Sequence, residues 1–300
     1  MFWEKQKKII THSGRFHTDD VFAVATITLV LGEGHYTIIR TRDEKFFSIG
    51  DYVVDVGGVY DEKNNRFDHH QEGGAGKWEN GVPLSSFGLV WKKFGGKLSG
   101  SVEIAEEIRK KLVEPIDAVD NGVSQYSLPE GIFTYTIDDL IDDFLPGGDE
   151  LSDVNAYDKK FLKAVAFAQE VIRRRIYHEK ARKKEEEEVF NLYQKTPDKR
   201  YLIAGKQYPR SFLAEQNREL LYTVAPRFES SGWSVGAVRK NPDSFELRKP
   251  LPLAWAGKRD KELEKITGVK GAIFCHNNRF IAIADTKDGA VKLLHLALEA

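Results

Sequence analysis

The chain has 300 residues, 41% of them hydrophobic and 30% charged, with a formal net charge of −1. At roughly 150 residues per domain there is room for two folded domains. This balance excludes a disordered chain and a globally basic nucleic-acid binder. A lone cysteine, Cys275, excludes an intrachain disulfide and a Cys-based zinc or iron–sulfur centre, and fits a reducing compartment. The apolar run at 21–31 is shorter than the about 20 residues a membrane span needs. The N-terminal MFWEKQKKIITH carries no signal-type apolar region, so a cytoplasmic location without membrane contact is the expectation.

In chain order, residues 7–11 (KKIIT) read as a strand. Residues 19–31 read as a buried helix with acids in its first turn. Residues 36–40 (YTIIR) and 52–56 (YVVDV) are two further strands, and 59–60 and 66–67 form a short hairpin. A helix capped by Ser85 or Ser86 runs through Lys93 and is expected to stop at Gly95–Gly96. Residues 102–119 suit a longer helix in which Pro115 starts a new segment or makes a kink. Residues 138–153 (DDLIDDFLPGGDELSD) carry seven acids, and 157–195 form one or two long helices free of Pro and Gly. Strands return at 201–204, 221–225, 233–238, 272–276 and 280–284, before a final helix near 289–298. The expected fold class is α/β. A mainly parallel sheet forms the N-terminal domain, and a smaller α+β C-terminal domain is joined to it by the long helix. The expected boundaries are 1–195 and 196–300.

Histidines and acids gather in four stretches. These are HSGRFHTDD from His12, VVDVGG around Asp55, Asp68-His69-His70, and IDAVDNG around Asp117 and Asp120. Each lies at a predicted strand end or just before a helix. Ligand crevices of open parallel sheets lie outside the carboxyl ends of the strands, so distant stretches should converge there. Singly, each has a plainer reading. A strand-end histidine is commonly just hydrogen-bonded, Asp19 can cap a helix, and Asp117 or Asp120 can precede a turn at Asn121–Gly122. Together, and without cysteine, they suit divalent cations, Mn²⁺ better than Ca²⁺. Two ions about 3.5–4 Å apart need a bridging carboxylate and several terminal ligands, which these clusters supply. Such a pair generates hydroxide, binds phosphate oxygens and stabilises a leaving oxygen. The helix start at 18–20 offers free N–H groups that also suit an anion.

The motifs THSGRFHTDD, VVDVGGVYD, RFDHHQ and IDAVDNG, in this order and spacing, resemble the Myg exonuclease family. That family is a branch of the DHH phosphoesterase superfamily, with RecJ-like nucleases, oligoribonucleases, cyclic-dinucleotide phosphodiesterases and manganese-dependent family II pyrophosphatases. The four motifs span about residues 10–122, and WAGKRDKEL from Trp255 and GAIFCH ending at His276 resemble the family's tail motifs. The resemblance implies a DHH-like catalytic domain with two divalent cations, Mn²⁺ or else Mg²⁺. His12 would bind metal, and the superfamily's next two aspartates fall at His17 and Asp19. Asp55 would bridge the ions, and Asp68 would orient its neighbour. His69 would ligate metal, His70 would face the phosphate, and Asp120 would complete the set with Asp117 behind it. The implied mechanism is attack of metal-activated water on phosphorus, with His70 donating to the phosphoryl oxygen. The C-terminal domain would grip substrate. Here the tail reads His276-Asn-Asn-Arg-Phe280, without the glycines usual in the family at this turn.

A polynucleotide substrate needs cations for phosphates and aromatic faces for bases. Arg173, Arg174, Arg175, Arg182, Lys183 and Lys184 either line a cleft or form a solvated helix face paired with the following Glu185–Glu188. Trp255, with Lys258 and Arg259, either stacks a base and holds phosphate or packs in a core beside Pro250 and Pro252. His276 is a cleft residue or a strand-end histidine, and Lys206 and Arg210 add cations near Pro209. The acidic tract at 138–153 would repel nucleic acid and is expected to lie away from the cleft. The leading expectation is a metal-dependent exonuclease acting on RNA or short single-stranded oligonucleotides. The alternatives are a hydrolase of dinucleotides or pyrophosphate, and a metal-binding interaction protein without turnover. The presence of Asp55 argues against the last. A homo-oligomeric state stays open.

Overall fold

Strand β1 (Lys7–Thr11) is hydrophobic enough to run inside a sheet, and its last three residues are buried. It lies between β2 (Tyr36–Arg40) and β3 (Tyr52–Val54), parallel to both. The order is completed by β5 (Arg66–Phe67), parallel to β3, and by β4 (Tyr60–Asp61), antiparallel to β5. In this computed structural model the described residues are 5–123, 131–209, 213, 219–228, 231–241 and 244–300.

The connection from β1 to β2 is helix α1 (Thr18–Leu31), buried all round from Thr18 to Thr28. A helix apolar on every face must be covered on every face. Helix α2 (Ser86–Ser99) supplies part of the cover, with the Phe22 and Phe87 rings 5.3 Å apart. The expected stop at Gly95–Gly96 does not occur, and α2 continues to Ser99. Gly95 is small for a packing reason, since a Cβ there would lie 2.7 Å from the Trp91 indole. Gly100, left-handed at φ 78°, is the true C-terminal cap. Pro115 does open a new segment. Helix α3 (Val102–Ile108) passes through a π-turn at Arg109–Val113 into α4 (Glu114–Asp120), with Pro115 in its first turn. The acidic tract begins with a short helix, α5 (Ile137–Asp142). Helix α6 (Val154–Lys195) is a single continuous helix.

The chain forms two compact units, Met1–Lys180 and Ala181–Ala300, so α6 contributes to both. The core of the first unit gathers α1, α2, β1, β3 and the α6 residues Phe161, Ala164, Val165, Ala168 and Ile172. The second unit has a mixed five-stranded sheet. Strands β6 (Tyr201–Ile203) and β7 (Tyr222–Pro226) are parallel, and the pairs joining β7, β8 (Trp233–Ala237), β10 (Ile281–Ala284) and β9 (Ala272–Cys275) are antiparallel. Helices α7 (Asp260–Thr267) and α8 (Lys287–Glu299) pack their apolar residues into this unit's core. The architecture is therefore α/β with two mixed sheets. Among the described residues, no helix is long and apolar enough to cross a membrane.

Candidate metal centre

The site is built at one edge of the first sheet. His12 follows β1 directly, and its ring is 2% exposed. The loop after it is held by Arg40, the last residue of β2. The Arg40 guanidinium donates to the Gly14 carbonyl at 2.7 Å and to Asp158 at 2.9 Å, and lies 4.4 Å from the Phe161 ring centroid. The loop ends at His17, whose backbone N–H donates to Asp20 Oδ1 at 2.9 Å as α1 begins. This fixes one oxygen of Asp20 as a helix cap. The other, Oδ2, lies 3.1 Å from His12 Nε2.

Strand β3 ends because the chain turns at Asp55, which adopts a left-handed φ of 55°. A non-glycine residue is uncommon there, and such strain concentrates at functional positions. The turn swings a buried carboxylate into the site. Asp55 Oδ2 lies 3.2 Å from His12 Nε2, and Oδ1 lies 3.5 Å from both His69 Nε2 and His70 Nδ1. Gly57 and Gly58 follow with positive φ, and Gly58 N–H donates to Asp68 Oδ2 at 2.6 Å. Asp68 Oδ1 accepts from the His70 backbone at 3.1 Å and lies 2.7 Å from His70 Nδ1. Asp68 thus orients His70, two positions on, rather than His69.

The N-terminus of α2 closes the floor. Ser86 Oγ donates to Asp55 Oδ1 at 2.9 Å, and Ser86 N–H reaches Asp19 Oδ2 at 3.3 Å. Beneath them, Asp117 accepts from Trp78 Nε1, Ser85 Oγ and Gly88 N–H at 2.6, 2.6 and 3.0 Å. Burial nevertheless pushes Asp117 up to about 7. From the end of α4, Asp120 Oδ2 comes within 3.3 Å of His69 Nε2.

Three donor sets overlap. They are His12, His17 and Asp55; Asp55, His69 and His70; and Asp19, His69 and Asp120, with the donor atoms of each set within 4.8 Å of one another. Asp55 belongs to two of them, as does His69. His12 Nε2, Asp19 Oδ1, Asp20 Oδ2 and Asp120 Oδ2 are buried and make no well-aligned hydrogen bond among the described residues, although His12 Nε2 is in ion-pair range of Asp20 and Asp55, and Asp120 Oδ2 of His69. Buried polar atoms are normally satisfied. Several unsatisfied ones in a cage of carboxylate oxygens and imidazole nitrogens fit hard to borderline divalent cations, and no thiolate is present to favour softer ones.

The electrostatics agree with that fit. Burial raises Asp19 well above the ordinary carboxylate range, and the neighbouring Asp55, Asp120 and Asp20 add to the effect. Burial and Asp55 also raise Asp120, with His69 opposing them. At Asp55 burial acts upward too, but contacts from His12 and His69 outweigh it and hold the carboxyl far below its usual range. His12 is pulled down by burial, yet Asp20 and Asp55 raise it to about 10. His69 is raised for the same kind of reason, mainly by Asp55 and Asp120 against burial. Protons on the imidazoles stand where positive charge is wanted.

His12, His17, Asp19, Asp55, Asp68, His69, His70 and Asp120, expected from the N-terminal motifs, lie together here, with Asp117 beneath them. Asp20 was not among them, because an acid in the first turn reads as a helix cap. Arg42 was not either, though it lies two residues past a strand paired with β1 in the register Thr11 to Arg40. The acidic tract is not remote. Asp138 and Asp142 line a cavity of about 510 Å³ together with Arg15, Thr18, His69, His70 and Asp120. Burial raises Asp138, and Arg15 pairs with Asp142 at 2.7 Å. Local pairing and burial let these acids sit beside the cage.

In the second unit, Trp255 is 4% exposed and packed in the core. The Arg259 guanidinium lies 4.4 Å from the Phe274 ring centroid, and the His276 and Phe280 ring centroids are 4.3 Å apart with the rings tilted by 44°. Arg174 and Arg182 pair with Glu170 and Glu186 along α6, and Lys206 pairs with Glu188. Arg210 lies outside the described residues.

Comparison with known proteins gives the family. The MYG1 exonuclease profile, described as the uncharacterised protein family UPF0160, matches residues 8–298. The chain belongs to the MYG1 exonuclease family. A MYG1 protein of Dictyostelium discoideum is 33% identical over 308 residues, covering 94% of each chain. A MYG1 exonuclease of Homo sapiens is 31% identical over 325 residues, covering 97% of this chain and 85% of the relative. A MYG1 protein of Chlamydia pneumoniae is 29% identical over 309 residues, covering 98% and 97%. The MYG1 match takes in both compact units and every residue of the cage.

Proposed function

We propose that the chain is a divalent-metal-dependent phosphodiesterase, an exonuclease releasing mononucleotides from RNA or short single-stranded oligonucleotides. Membership of a family with members named exonucleases supports the nuclease class. The observation that carries the reading is Asp55, whose two buried carboxylate oxygens face His12 Nε2 at 3.2 Å and His69 Nε2 at 3.5 Å, the nitrogens of two different proposed ligands. His12, His17, Asp19, Asp55, His69 and Asp120 would hold two cations, with Mn²⁺ the best match to the donors and Mg²⁺ the alternative. When bound, the ions would supply hydroxide at neutral pH and neutralise charge on phosphate oxygens. Asp55 would bridge them, while Ser86 fixes its carboxylate from below. Asp20 Oδ2 would lie beside the His12 nitrogen that faces the cation. His70, with Nδ1 held by Asp68 and a side chain 62% exposed, would present its ring to the phosphate and donate to a phosphoryl oxygen. The N-terminus of α1 would add favourable backbone dipoles for an anion. In the second unit, Arg259, Phe274, His276 and Phe280 form a cationic and aromatic surface suited to holding bases and phosphate. Trp255 would support it from the core.

The test is a Mn²⁺-supplemented assay on labelled single-stranded RNA, single-stranded DNA, a dinucleotide and pyrophosphate. Stepwise mononucleotide release from single strands supports the proposal. Turnover of pyrophosphate or dinucleotide alone supports a small-molecule hydrolase instead. Metal uptake should also depend on pH with a fixed sign. The raised His12 keeps its proton up to about pH 10 in the empty cage, and a cation needs that nitrogen free. Mn²⁺ affinity is therefore expected to rise with pH across the neutral range, with proton release. Calorimetry in buffers of different ionisation enthalpy measures that release.

A further inference from the structure

One cation at this site is unexplained by the cage. Arg42 lines a cavity of about 350 Å³ with His12, His17, Asp55, Gly57, Gly58, Asp68 and His70. Among the described residues it is the only lysine or arginine of that lining, and its hydrogen-bonding contact is at the back of a proposed metal ligand, where Nη2 lies 3.2 Å from His12 Nδ1. Among the described residues it has no carboxylate within ion-pair distance, although the neighbouring Arg40 is paired with Asp158. A guanidinium held against a cation ligand opposes cation binding. The placement is productive once an anion enters the same cavity.

Resting on the metal-dependent reading above, we propose that Arg42 is a substrate-binding residue. It would grip non-bridging oxygens of the substrate phosphate from its place in the cavity wall beside His12, Asp55 and His70. Its planar fork matches two phosphate oxygens, which a lysine cannot do. A cation in the cage and a phosphate in the adjoining cavity are opposite charges side by side, so each should raise the other's affinity by the same factor.

The experiment titrates inorganic phosphate calorimetrically into the full chain. It uses the metal-free form and the form loaded with Mn²⁺ and freed of excess metal, for the wild type, Arg42→Ala and Arg42→Lys. The loaded wild type is expected to bind phosphate at least about tenfold more tightly than loaded Arg42→Ala, with Arg42→Lys between them. Mn²⁺ content should be equal in all three. Loaded Arg42→Ala that binds phosphate within twofold of wild type overturns the assignment of Arg42 and leaves the metal site standing. A wild-type chain that takes up no Mn²⁺ overturns both.

Discussion

Asp55→Asn is expected to abolish Mn²⁺ uptake at the shared position and to lower kcat by about a thousandfold or more. Charge stabilisation by a metal is worth several kcal/mol, and each 1.36 kcal/mol is about tenfold in rate. Asparagine is the informative replacement because it tolerates the left-handed backbone at φ 55°. It also keeps an oxygen for the Ser86 hydroxyl. The stability of the metal-free protein should move the other way at two neighbouring acids. Asp55 is held below its ordinary range, so its ionised form adds stability above that range, which is lost as pH falls. Removing the charge should lower the melting temperature in chelator at neutral pH. Asp19 is raised, so its stabilising form is the protonated one, lost as pH rises through the raised value. Asp19→Asn mimics that form and should raise the melting temperature in chelator while weakening Mn²⁺ binding. Thermal melts with and without chelator, together with single-turnover rates, check all three statements. A variant Asp55→Asn that keeps its rate within threefold contradicts the assignment.

Gly88→Ala is expected to destabilise the protein by about 4 kcal/mol, against the normal gain for such a change inside a helix. A Cβ at Gly88 would lie 2.2 Å from Asp117 Oδ2. Helix α2 would have to move away from the buried carboxylate that holds Ser85 and Trp78. Ser86 moves with it, and Ser86 is the donor to both Asp55 and Asp19. Activity should fall by about 10–100-fold in whatever fraction remains folded, the range for residues that orient metal ligands. Chemical denaturation midpoints and kcat measure the two effects. Wild-type stability in Gly88→Ala would show that the α2 floor is not rigid.

Strands β1 and β2 were legible to the residue, because short β-branched runs bounded by polar residues and turns have few other readings. Convergence of the motifs was legible for a related reason, since stretches that follow parallel strands leave the sheet at the same edge. What escaped depended on contacts that the local pattern does not carry. Gly95 reads as a helix stop until the Trp91 ring beneath it is known. Asp20 reads as a cap, and it is one, but a carboxylate has a second oxygen. Arg42 has no motif around it and matters through the register of β2 on β1. The acids of α5 were expected far from the site on net charge alone, whereas burial of Asp138 and the Arg15–Asp142 pair neutralise much of that argument locally. The left-handed turn at Asp55 has no sequence signal beyond the glycines after it.

The most direct measurement is anomalous diffraction at the manganese edge from crystals of the full chain soaked in Mn²⁺. Two peaks about 3.5–4 Å apart, enclosed by His12, His17, Asp19, Asp55, His69 and Asp120 and bridged by Asp55, are the predicted result. No peak among these residues at saturating Mn²⁺, or peaks only elsewhere on the chain, would contradict the account.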